Sequence, residues 1–215
     1  MVKKVVLYVE GGGDSDSLHS ECRKGFNKFL SKLGFEKKMP RIVACGSRAD
    51  SFDRFKSACK RNSEIPVLLV DSETAILAEN ENGESDCWTP WKHLKTRNGD
   101  GWEKPENADD KLCHFMVECM ESWLISDVDV LKKFYGQGFK EKEFDNISDI
   151  EKIRKNEIYR KLKEATKSAK TKGEYDKSGH SFLLLQQIDS NLVIKKSKWA
   201  KRFCDMLMKI MDSNK

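Results

Sequence analysis

The chain has 215 residues (24.8 kDa), of which 38% are hydrophobic and 35% charged, with a mean hydropathy of −0.67. These values suit one compact domain with a heavily solvated exterior and exclude collagen, coiled coil and porin, while no stretch approaches the ~20 apolar residues of a membrane-spanning helix. The net charge of +5 conceals an asymmetry: residues 1–130 hold 19 Lys+Arg against 23 Asp+Glu, and residues 131–215 hold 21 against 12.

An acidic body beside a basic remainder suits a protein that gathers divalent cations in one place and polyanions in another. The run Lys152 to Lys172 also reads simply as the wet face of a helix. Seven cysteines without a Cys-x-x-Cys pair argue against a disulfide framework or a zinc knuckle. Met1-Val2-Lys3-Lys4 leads straight into an apolar run with no small-residue cleavage pattern, so a cytoplasmic protein is expected.

Val5-Val6-Leu7-Tyr8-Val9 is a continuous apolar, β-rich run ending at Glu10-Gly11-Gly12-Gly13, the pattern of a strand buried on both faces. Asp14 or Ser15 caps a helix whose apolar positions Leu18, Cys22, Phe26, Phe29, Leu30 and Leu33 recur at helical spacing until Gly34. Arg41 to Gly46 predicts a second strand, Asp50 to Asn62 a second helix, and Pro66 to Val70 a third strand that ends at Asp71-Ser72-Glu73. Alternating strands and helices predict an α/β fold: an open parallel sheet flanked by helices, with function gathered beyond the carboxyl ends of the strands.

Residues 74–110 carry Trp88, Trp91 and Trp102 with little periodicity, and are expected to form an extended insertion over the sheet edge. Those tryptophans either anchor the loop or, with His93 and Lys95, contact unpaired bases. A helix is expected from Asp109 through Leu124, with Leu112, Phe115, Met116, Cys119, Met120 and Trp123 on its apolar face. Val128–Phe134, one or two basic helices in Ile147–Lys170, Ser181–Ile188 and Trp199–Met211 complete a helical C-terminal part. The expected division is a core over 1–130, with the inserted loop at 74–110, and a basic helical extension over 131–215 packed on it.

Three carboxylates, Glu10, Asp71 and Glu73, fall on one rim of this sheet. Brought together they raise one another's pKa unless a cation neutralises them, and hard Mg²⁺ or Mn²⁺ suits oxygen ligands. The intervening Ser72 lets both acids of the Asp-x-Glu point to one side. Asp14, four residues after Glu10, is a further candidate ligand, and Glu121, on an otherwise apolar segment, either emerges at an edge or is held by a partner. Arg48 is a candidate phosphate clamp unless it pairs with Asp50 or Asp53. His114 either orients a carboxylate or phosphate or is a satisfied core histidine. Lys177-Ser178-Gly179-His180-Ser181 opens a helix and suits a phosphate, although serine capping explains it nearly as well.

The ordered set of apolar strand, Glu10-Gly11 with Asp14, helix, strand, helix and apolar strand with Asp71-Ser72-Glu73 resembles the Toprim domain. That domain is shared by topoisomerases, primases and nucleases of the overcoming-lysogenization-defect class. A wider resemblance, through Val9 to Asp14, Pro40 to Gly46, Leu69 to Glu73, His114 to Val117, Met120 to Trp123, Tyr135 to Phe139 and Gly179 to Phe182, is to the bacterial family catalogued as domain of unknown function 4276. The resemblance implies a Toprim-like nuclease that hydrolyses DNA or RNA with Mg²⁺ or Mn²⁺, often the effector partner of an ATPase in anti-phage defence. By that resemblance Glu10 is the acid or base and Asp71 and Glu73 carry metal. Glu73 stands where topoisomerases often have Asp, which lengthens its reach. A non-catalytic, Toprim-shaped subunit regulating an ATPase is the alternative. Partners expected are nucleic acid, an ATPase and a second copy of the chain, without membrane.

Overall fold

A computed structural model describes residues 3–61 and 63–214. Strands β1 (Lys4–Val9), β2 (Arg41–Ala44), β3 (Glu64–Asp71) and β4 (Cys113–Met116) form an all-parallel sheet in the order β2-β1-β3-β4 among the described residues. The register sets Val9 beside both Ala44 and Leu69, and Asp71 beside Met116. Successive side chains of a strand face opposite sides, and β1 divides accordingly. Val5, Leu7 and Val9 enter one apolar cluster, and Val6 and Tyr8 the other.

Helix α1 (Asp16–Leu30) covers the first face through Cys22, Phe26, Phe29 and Leu30. Ser15 is its cap, accepting from the Leu18 N–H. Helix α2 (Arg48–Cys59) covers the second face through Phe52, Phe55, Ala58 and Cys59. It starts and stops earlier than the expected Asp50–Asn62, and Asn62 lies outside the described residues. Strand β2 lies at an edge with Arg41 exposed, so its burial is lighter than in β1 and β3.

The helix expected from Asp109 to Leu124 is instead a strand followed by one short helix, α4 (Glu121–Leu124). Cys113, Phe115 and Val117 face the second cluster, while Met116 faces the first. A segment apolar on every side fits a doubly buried strand as well as a buried helix, and the hydrogen-bond ladder offered by β3 decides for the strand. Glu118, at φ 60°, then turns the chain out of the sheet.

Residues 74–110 hold helix α3 (Pro90–Thr96) and short 3₁₀ turns. Trp88 and Trp91 are buried and Trp102 stacks on Phe52 with ring centroids 4.4 Å apart, so all three tryptophans anchor the loop. His93 is buried with Nε2 3.0 Å from the Ser72 carbonyl, and Lys95 pairs with Glu103 at the surface.

Helices α5 (Val128–Tyr135), α6 (Lys155–Thr166), α7 (Lys177–Leu185) and α8 (Ser190–Lys196) add apolar residues to the first face. Helix α9 (Lys198–Ser213) seals the β4 side, placing Trp199 in the second cluster and Phe203 and Leu207 in the first. Arg202, fully buried between them, donates to the backbone oxygens of Ser85, Asp110 and Cys113. No described helix is long and apolar enough to cross a membrane.

Trp123, fully buried, stacks on Phe29 at 4.8 Å and meets Phe26 edge-on at 6.3 Å. Trp123→Ala is expected to cost about 3–5 kcal/mol in urea denaturation. Glu151 accepts from Ser197 Oγ at 2.5 Å and from the Trp199 N–H at 2.8 Å, and burial pushes its carboxyl up to about 7. A carboxyl raised on folding stabilises fully below its unfolded value, and that contribution is lost as pH rises through 7. Thermal melts from pH 5 to 8 should therefore show Glu151→Gln gaining on the wild type with pH.

Candidate metal centre

The order β2-β1-β3 reverses chain direction across the sheet between β1 and β3, and the crevice beyond their carboxyl ends is where such folds place ligands. Glu10 leaves β1 there and Asp71 closes β3. The turn after Glu10 must pass close to its neighbours. Gly12 has φ 94°, and a Cβ on it would lie 2.7 Å from the His19 ring. Gly46, at φ 81°, exchanges backbone hydrogen bonds with Gly11, and a Cβ there would lie 2.8 Å from the Gly13 carbonyl oxygen.

The Asp71 N–H donates to Glu10 Oε2 at 2.9 Å, and Asp71 Oδ1 accepts from the Met120 N–H at 2.8 Å. Ser72 turns away, its Oγ accepting from the Glu118 N–H at 2.8 Å and donating to the Thr74 carbonyl at 2.7 Å. Glu73 then returns to the Asp71 side in a left-handed conformation (φ 64°), its N–H donating to the carbonyl of the equally left-handed Glu118. One carboxylate oxygen from each of Glu10, Asp71 and Glu73 lies within 4.8 Å of the others. An all-oxygen donor set of this span can hold a divalent ion such as Mg²⁺ or Mn²⁺.

Burial, with Arg48 and the Asp71 N–H opposing it, leaves the Glu10 carboxyl above its ordinary range. Asp71, 3% exposed, is pushed well above its own by burial and then by the charges of Glu10 and Glu121. Three cations answer these acids. Arg48 lies 3.5 Å from Glu10 Oε2, donates to the Asp71 carbonyl, grips Asp100 through Nε and Nη2, and stacks over Trp102 at 4.7 Å. Lys155 donates to Glu73 Oε1 at 2.7 Å and lies 3.7 Å from Asp71 Oδ2. Lys177 lies 3.6 Å from Glu121 Oε1 and donates to Tyr159 Oη at 3.0 Å.

Glu121 is fully buried and held by Tyr159 (2.9 Å), Tyr175 (3.1 Å) and Ser181 (3.3 Å), outside the three-acid group. Of the two outcomes open to it in the sequence, it is the partnered one. A cavity of about 260 Å³ opens beside the acids, and its lining includes Glu10, Asp71, Leu18, Met120, Lys177, Ser178 and Phe182.

The remaining candidates lie elsewhere. Asp14 is exposed on the turn before α1 and does not join the acid group. Arg48 reaches the rim but pairs with Asp100 and Glu10 rather than Asp50 or Asp53, so its guanidinium orients protein groups. His114 cannot reach a substrate: it is fully buried on β4, edge-on to Phe203, with Arg202 Nη1 2.9 Å from its Nδ1. His180 does not line the cavity. Its Nδ1 accepts from the Asp176 N–H and lies 3.1 Å from Tyr135 Oη, which steadies the start of α7.

Lys155, Asp100 and the two tyrosines went unread in the sequence. Lys155 differs from its basic neighbours only in being the first residue of α6, and its approach to Glu73 comes from the tertiary path.

The class is an α/β domain with an all-parallel sheet and, at its carboxyl edge, an acid group that could hold a divalent cation. The chain belongs to the family of the domain of unknown function DUF4276, whose model matches residues 9–208. No curated protein and no solved structure matches it significantly.

Neutralising Asp71 removes a carboxylate that folding drives above its ordinary range, where stability is lost as pH rises through the folded value. Asp71→Asn is accordingly expected to melt above the wild type at pH 7.5 in metal-free buffer, and to lose any Mn²⁺-induced shift.

Proposed function

We propose that the chain is a divalent-metal-dependent phosphodiesterase of the Toprim type, hydrolysing DNA or RNA in the cytoplasm as the effector partner of an ATPase in anti-phage defence. The observation that carries this reading is the convergence of Glu10, Asp71 and Glu73 within 4.8 Å at the strand ends. Asp71 and Glu73 would hold Mg²⁺ or Mn²⁺, which supplies Lewis-acid polarisation of a phosphate and activation of water.

The chain's own groups supply the rest. Glu10, its carboxyl raised by burial, holds or passes a proton at its Oε atoms, and Arg48 together with the Asp71 N–H fixes its orientation. Lys177, which lines the same cavity and is steadied by Glu121 and Tyr159, would meet a phosphate there. Exposed Lys152, Arg154, Arg160, Lys163, Lys167, Lys170 and Lys172 suit a polyanionic backbone.

The alternative, a non-catalytic subunit of an ATPase complex, is favoured by one observation: Lys155 and Arg48 already neutralise the acids from within. Cleavage of plasmid and of structured RNA, with Mg²⁺ or Mn²⁺ and with the ATPase present, separates the two. Asp71→Ala is expected to slow cleavage by about a hundredfold or more, as loss of an electrostatic catalytic group does. Equal cleavage by both proteins would remove the assignment. Intact ATPase binding with no metal-dependent cleavage would establish the alternative.

A further inference from the structure

Helix α6 delivers a single cation into the acid group. Its first residue, Lys155, is pinned at the backbone: its N–H donates to Glu118 Oε2 at 3.1 Å while Arg154 Nη1 donates to Glu118 Oε1 at 3.0 Å. From this anchor the ammonium reaches both carboxylates of the Asp-x-Glu, at 2.7 Å from Glu73 and 3.7 Å from Asp71. The Lys155 side chain keeps 27% exposure, so its outward path is open. Arg48 differs, because Asp100, Trp102 and the Asp71 carbonyl lock its guanidinium. Lysine carries a compact charge on a flexible four-carbon stem and can change partners without moving its Cα.

We infer that Lys155 is an exchangeable counter-ion, whose ammonium neutralises Asp71 and Glu73 in the metal-free protein and leaves them when a divalent cation enters. An ammonium and a dication cannot share the same two carboxylate oxygens without strong like-charge repulsion in a half-buried site. Lys155 thereby sets the metal concentration at which the centre fills. This rests on the reading of Glu10, Asp71 and Glu73 as the metal centre.

The test is isothermal titration of the full chain with Mn²⁺ alone, without nucleic acid. Lys155→Met, which keeps the stem and removes the charge, is expected to bind Mn²⁺ about tenfold more tightly than the wild type. Lys155→Gln, which keeps a hydrogen-bond donor for Glu73, should show the same direction and serves if the methionine variant does not fold. Lys163→Met removes an equal charge from an exposed position on α6 and should change affinity less than about twofold. Affinity in both Lys155 variants equal to that of Lys163→Met, or weaker than wild type, overturns the inference. Asp71→Asn separates the two levels. If it binds Mn²⁺ as the wild type does, the metal centre itself is misplaced. If it abolishes binding while the Lys155 variants stay at wild-type affinity, only the counter-ion role fails.

Discussion

Carboxylates crowded at the end of a parallel sheet need compensating charge, and most of the polar architecture around this sheet supplies it. Glu10 and Asp71 are brought together by strand register, which places their elements side by side. The resulting repulsion is answered from three directions. Arg48 comes from α2, Lys155 from the start of α6, and Lys177 from the start of α7. These helices therefore carry an electrostatic duty as well as an apolar face. Glu118 ties the start of α6 to the turn after β4, and Glu121 ties α4 to α6 through Tyr159 and to α7 through Ser181.

The same arrangement explains why the site is poised. Buried acids with raised proton affinity would gain from a bound dication what they lose by desolvation, so a divalent ion, if it enters, would compete with a proton for them. Groups held this way are costly to the fold and useful to chemistry, which is the usual sign of a functional cleft.

The sheet's first three strands, their intervening helices and the rim acids were legible from sequence because each rests on a local pattern. Continuous apolar runs end at Glu-Gly or Asp-x-Glu, and the stripe of the first helix ends at Gly34. Strand β4 was not legible. Cys113 to Val117 is apolar toward both faces, so its period carries no information, and only pairing with β3 settles its conformation. Lys155 was hidden for a different reason: a lysine among lysines acquires meaning only from the carboxylates it meets, and these lie 82 and 84 positions earlier in the chain. His114 and Arg48, for which the sequence leaves a structural and a substrate-binding role open, are committed to Arg202 and Asp100 in space, partners that sequence position does not reveal.

Helix α9 sends side chains into both layers, Trp199 against Trp88 and Phe115 in one and Phe203 beside Trp123 in the other. During synthesis the two layers consequently stay unsealed until residues near 207 have emerged from the ribosome. A nascent chain displays its acids before it owns the lysines that balance them, and before the scaffold that aims them has set.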